Sequence, residues 1–330
     1  MSRTLRGTVT LLHQIYVAEG VLGESFAGAV DLAAFSLTIP ALPTEHSDGI
    51  MALTCPIDDD RLRSSVVDDT WGTTAHFLES GKPRNLSSYI KTVAIEVEAE
   101  SDQDLAIFTA TFGKKFTDWF AIATQWLELW AKQVLSPYQG EGIGTRGRLW
   151  ENNAPPPGRS GWHAHRVVVH IGGSHVDRNM LHTACRNATE SVGVPPEWRL
   201  YLSASRTHDN RLAVIEAASA AEVALSRALD TRLPMLSEAA RNRITQNANG
   251  IIEMVRLLED MDNVSSTESR WRQVAHRLAY PRNQAAHKGL RPADEEVKGA
   301  VKEAKKLLDL YAPLPSPASI ADDCDESVTR

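Results

Sequence analysis

At 330 residues, with 42% hydrophobic and 23% charged side chains, the chain has the composition of a globular protein long enough for two domains. A formal charge of −7 argues against non-specific coating of nucleic acid, which depends on neutralising many phosphates. No apolar run approaches the roughly 20 residues of a membrane-spanning helix, and residues 1–6 carry no apolar signal core, so no membrane association and a cytoplasmic location are expected.

Taken in chain order, residues 8–17, 35–39 and 50–55 are apolar, β-branched or alternating runs that end at turn signals such as Pro40 and Pro56. Residues 92–98 alternate strictly, placing Val93, Ile95 and Val97 on one face of a half-buried antiparallel strand. From 104 to 135 the period turns helical. Phe108, Phe112, Trp119, Trp126 and Trp130 form one stripe, read as core packed on the preceding sheet rather than as a base-stacking platform.

Residues 137–162 read as a Pro/Gly-rich loop. The Gly142-x-Gly144-x-x-Gly147 pattern within it fails as a dinucleotide fingerprint, because it follows a helix and leads into Pro-rich coil. Next comes a short strand around Val168, flanked by His163, His165, His170 and His175, and then a helix over 177–192 with Asp177 as its N-cap. His170 projects opposite to His163 and His165, a poor geometry for zinc, and Cys55, Cys185 and Cys324 show no thiolate spacing. Neither a metal nor a cofactor is expected.

Beyond residue 200 the pattern is almost wholly helical, over 211–229, 237–261, 268–280 and 293–310. The expected fold is therefore α+β, an N-terminal antiparallel sheet with packed helices followed by a C-terminal all-α bundle. Its expected parts are a sheet/helix domain at 1–136, the loop at 137–162, a strand-helix-strand extension at 163–204, the bundle at 205–312 and a disordered tail at 313–330.

The bundle contains Arg282-Asn283-Gln284-Ala285-Ala286-His287-Lys288-Gly289. It joins a permanent cation with a planar donor fork, an amide, and an imidazole that titrates near neutrality, the parts of a metal-free site for phosphodiester chemistry. Arg followed by His also occurs at Arg159/His165 and Arg270/His276, so the spacing alone decides nothing. The third copy stands out because Asn283 lies one helical turn from His287 and Gly289 provides a helix stop. Pro281 predicts that this helix starts or kinks there. At about 100° per residue, Arg282 sits some 140° around from His287 and must swing its stem to reach it. Arg277, Lys288 and Arg291 belong to a basic cluster over 270–291 suited to a phosphate-bearing ligand, here RNA; the alternative is a solvated helix face paired with acids such as Glu295 and Glu296.

Arg, a polar residue, a few spacers and His resembles the hallmark of the HEPN (higher eukaryotes and prokaryotes nucleotide-binding) domains. The Ala/Leu-rich run 211–225 is similar to the opening helix of the ApeA-like branch, with Glu222 as its acid. The resemblance covers about residues 205–312. It implies a metal-independent endoribonuclease, in which a ribose 2′-OH attacks the adjacent phosphorus at a composite site in a homodimer. His287 would transfer protons, Arg282 would hold the non-bridging oxygens, Asn283 would orient either, and Glu222 would tune the pair. It also implies a toxin or antiviral defence effector, restrained by a regulatory domain or antitoxin partner. The other reading open to such a bundle is a non-catalytic module for dimerisation or for RNA or nucleotide binding.

Overall fold

A computed structural model describes residues 2–42, 50–57, 71–79, 82–100, 104–133, 135, 145–151, 174–234, 237–239, 242, 244, 250–262 and 269–317. The fold is α+β, in two compact units built on Met1–Gly193 and on Val194–Pro315.

The first unit holds an antiparallel sheet of β1 (Ser2–Ala18), β2 (Ser25–Val30), β3 (Ala33–Thr38), β4 (Ile50–Ala52), β5 (Gly72–Glu79), β6 (Lys82–Glu100) and β7 (Thr145–Glu151). The order is β2-β3-β6-β1-β7, and β5 pairs with β6 and with β4. Register follows the alternation read in the sequence: Leu5 faces Val97, Val9 faces Val93, and Phe35 also faces Val97, so apolar side chains from three strands share one side. Onto that side packs α1 (Leu105–Ala131), capped by Asp104, whose carboxylate accepts from the backbone N–H of Ala106 and Ile107. Phe112 and Phe116 are fully buried, and the Phe35 ring stands edge-on to Phe112, Phe116 and Trp119 at 5.8, 5.3 and 4.9 Å. A Cβ on Gly28, opposite Phe35 in the ladder, would come within 2.5 Å of that ring and force it to shift against the three rings it meets. α2 (Arg178–Thr189) is capped by Asp177, as its sequence position predicts.

Two corrections concern this half of the chain. Residues 145–151, expected within a loop, form β7 on β1, with Leu149 buried opposite Gly7. Its Gly and Arg content hides a short strand whose partner lies far away in the sequence. Gly147 consequently sits in a strand paired with Val9, not in a helix-opening turn. Residues 196–206, expected as the end of the N-terminal domain, are a helix of the second unit, which starts at Val194 rather than at 205. The burial of Trp198 and Leu202, one turn apart, favours the helix over a strand. His163, His165, His170, the strand around Val168, Cys324 and most of the tail lie outside the described residues.

The second unit is a helical bundle of α3 (Pro196–Arg206), α4 (Asn210–Arg232), α5 (Ile251–Met261), α6 (Arg270–Lys288) and α7 (Asp294–Tyr311). α4 is its axis, packing against the other four. Ala213, Ala217, Ala218, Ala220, Ala221, Ala224 and Ala228 are all buried on one broad side of α4, and their small side chains let neighbouring backbones approach. The core is completed by Val255, Leu258, Val274, Leu278, Ala304 and Leu307.

Candidate functional site

α6 presents the motif. Ser269 caps its first turn by accepting from the backbone N–H of Trp271, and its hydroxyl donates to Glu259. Arg272 also reaches Glu259, at 2.7 Å, so the buried Glu259 carboxylate is paired and hydrogen-bonded where α5 meets α6.

The expected break at Pro281 does not occur: α6 runs unbroken from Arg270 to Lys288. Proline removes one backbone hydrogen bond and crowds the preceding turn, a cost of about 3 kcal/mol or more. Val274, Leu278, Pro281 and Ala285 form one buried stripe at spacings of four, three and four, and burial of that stripe in the bundle offsets the cost. The helix stops where its sequence says it should. Gly289 adopts φ 65°, the left-handed conformation, and its N–H donates to the Gln284 carbonyl.

All four residues assigned to the site meet. One Arg282 nitrogen, Nη1, lies 3.2 Å from Asn283 Oδ1 and 3.5 Å from His287 Nε2, while Nη2 lies 3.5 Å from Glu222 Oε1 on α4. The long Arg stem therefore spans the angular gap around the helix. Because a guanidinium carries donors only, Arg282 is the donor in this contact and His287 Nε2 the acceptor. His287 and Asn283 are exposed; Arg282 and Glu222 are each about 30% exposed, at 31% and 29%. The group is neither sealed in the core nor dispersed on the surface, and Arg282 faces both Glu222 and solvent.

Two residues absent from the expected site hold this turn in place. Arg211 donates from Nε to the Ala285 carbonyl at 3.0 Å, one of the last four carbonyls of α6, which have no partner within the helix. Asn210 donates to the Pro292 carbonyl at 2.9 Å and to Asp294 Oδ1 at 2.7 Å, tying down the chain just after Gly289. The sequence signal for both is weak, because two of the three acceptors are backbone atoms that any residue supplies.

The basic cluster divides. Arg277 pairs with Glu303 at 3.4 Å, and Glu303 also accepts from Lys306, so Arg277 is engaged within the bundle. Lys288 and Arg291 are exposed, with no ion pair among the described residues. Glu295 pairs with Lys298, and Glu296 accepts from the Ala293 N–H at the start of α7, so neither acid neutralises the cluster.

Among the described residues, no group of His, Cys, Asp and Glu has the arrangement of a metal site. His175 packs edge-on against Tyr16 at 5.3 Å. Cys185 is buried, which pushes its thiol up to about 12 and keeps it protonated. No helix is long and apolar enough to cross a membrane, among the residues described. Comparison with protein-family models, with curated proteins and with solved structures finds no match.

Proposed function

We propose that the helical unit is a HEPN-type, metal-independent endoribonuclease. The observation that carries this reading is the meeting of Arg282, Asn283, His287 and Glu222 on a solvent-open patch of one bundle. In the reaction, His287 takes the proton of a ribose 2′-OH, whose oxygen attacks the adjacent phosphorus; the 5′-oxygen leaves with a proton from a second donor. The products are a 2′,3′-cyclic phosphate and a 5′-hydroxyl. Arg282 holds the non-bridging oxygens and offsets the charge growing on them. Glu222 orients the guanidinium until a phosphate competes for it, and Asn283 steadies the face turned toward His287.

One imidazole cannot be both deprotonated base and protonated acid in a single step. A homodimer that brings two copies of the motif together supplies both, and the exposure of His287 leaves it accessible to a partner copy. On this reading the protein acts as a toxin or antiviral effector, so its expression slows host growth and His287→Ala relieves the effect.

The test is incubation of wild-type and His287→Ala protein with a mixed RNA pool in EDTA, with cleavage ends mapped and oligomeric state recorded. Wild-type cleavage leaving 2′,3′-cyclic phosphates is expected, and removing the proton-transfer group should lower it by about 10²- to 10⁴-fold. A second reading, a non-catalytic dimerisation or RNA-binding module, is favoured by the Glu222–Arg282 ion pair, which a purely structural role would also use. An uncleaved pool from a folded dimer would select that reading.

A further inference from the structure

One exposed face of α6 runs through Gln273, His276, Tyr280, Asn283 and His287, at alternating spacings of three and four. Tyr280 is the aromatic residue in it and is 64% exposed. Among the described residues no ring or cation packs on it and no hydrogen bond holds its hydroxyl. Its backbone is nevertheless firmly placed, because Leu278, Ala279 and Pro281 on either side are buried. The ring thus stands on a rigid ridge, on the same stripe as the imidazole that Arg282 contacts.

From this we infer that Tyr280 is a base-contacting residue of the proposed ribonuclease site, stacking on a nucleobase of any kind close to the phosphate held by Arg282; the inference rests on the reading of that site as RNA-binding. The rise of the helix puts Tyr280 about 10 Å from His287 along the axis. That is about three base steps of 3.4 Å, so the stacked base lies within about three nucleotides of the scissile phosphate. Stacking is the interaction a lone exposed aromatic ring can offer to any base, because every base has a π-face. Lys288, at the end of α6, and Arg291, just after it, are exposed cations on the C-terminal side of His287.

The test separates base from backbone, and binding from cleavage. Wild type, Tyr280→Ala and Tyr280→Phe are titrated with a short single-stranded 2′-O-methyl RNA, which cannot undergo 2′-attack, and with the same backbone lacking bases. Wild type and Tyr280→Phe are expected to prefer the base-bearing strand by roughly 5- to 100-fold, and Tyr280→Ala to lose most of that preference at unchanged helix content and oligomeric state. Equal binding of the two strands by wild type, no binding by wild type, or a preference retained by Tyr280→Ala overturns the inference. Dissociation of the Tyr280→Ala protein into monomers also overturns it, assigning the ring to contact between copies. Cleavage of natural RNA, measured separately, tests the ribonuclease reading: an intact preference without cleavage removes only the catalysis, and cleavage without a preference removes only the stacking.

Discussion

α1 and α4 are the longest helices described, and each buries one side, yet they fill space in opposite ways. α1 lies on a sheet and has one apolar side, so its core is built from large rings at Phe108, Phe112, Phe116, Trp119 and Trp126. α4 packs against four helices and lines its buried side mainly with alanine, with Val214, Leu225 and Leu229 as its larger buried side chains. A helix against a sheet fills the gap with side-chain volume, whereas a helix inside a bundle gains by close backbone approach. The difference bears on the site, since Glu222 on α4 reaches Arg282 on α6 only if those two helices pack closely.

Truncation and enlargement should therefore have opposite rankings in the two helices. The largest effect is expected from Phe112→Ala in α1, which leaves a cavity among stacked rings and should cost about 3–5 kcal/mol, read as faster hydrogen exchange of the α1 amides and a lower urea midpoint. Ala221→Leu in α4 should cost about 1–3 kcal/mol through overpacking. The same change at Ala110, on the exposed side of α1, should stay within about 0.5 kcal/mol. Equal costs at Ala221 and Ala110 would remove the distinction between the two helices.

The smallest effect at ordinary pH comes from two protonated groups. Burial pushes the Cys185 thiol of the first unit up to about 12, and burial, with Glu259 nearby, pushes the Tyr311 phenol of the second up to about 12. Each group keeps its proton longer in the folded state than in the unfolded chain. Their contributions to stability are intact below the unfolded values, about 9 for a thiol and about 10 for a phenol, and are lost as pH rises toward 12. The first unit should thus begin to weaken at lower pH than the second in pH-dependent hydrogen exchange, and Cys185→Ala should flatten its early decline.

Much of this organisation was legible in the residues. The alternation around Val93, Ile95 and Val97, the aromatic stripe of α1, the cap at Asp177 and the stop at Gly289 all act over a few residues, and each appears where its local signal lies. The meeting of Arg282, Asn283 and His287 was legible for the same reason, since one helical turn brings Asn283 beside His287 and the long Arg282 stem spans the remaining angle. The misreadings arose where distant partners decide. β7 depends on pairing with β1, the helix at 196–206 on packing within the bundle, and the unbroken course of α6 through Pro281 on burial of the stripe that contains it.

By itself the sequence determined the α+β class, the helical character of the second unit and the chemical inventory of the candidate site, because side-chain period, capping and residue type are local properties. Only the tertiary structure decided that Glu222 reaches Arg282, that Arg211 and Asn210 clamp the motif turn, and that Arg277 is spent on Glu303 while Tyr280 stands open. Those outcomes depend on how closely and at what angle helices far apart in the chain pack, and that geometry is set by the summed burial of the whole bundle.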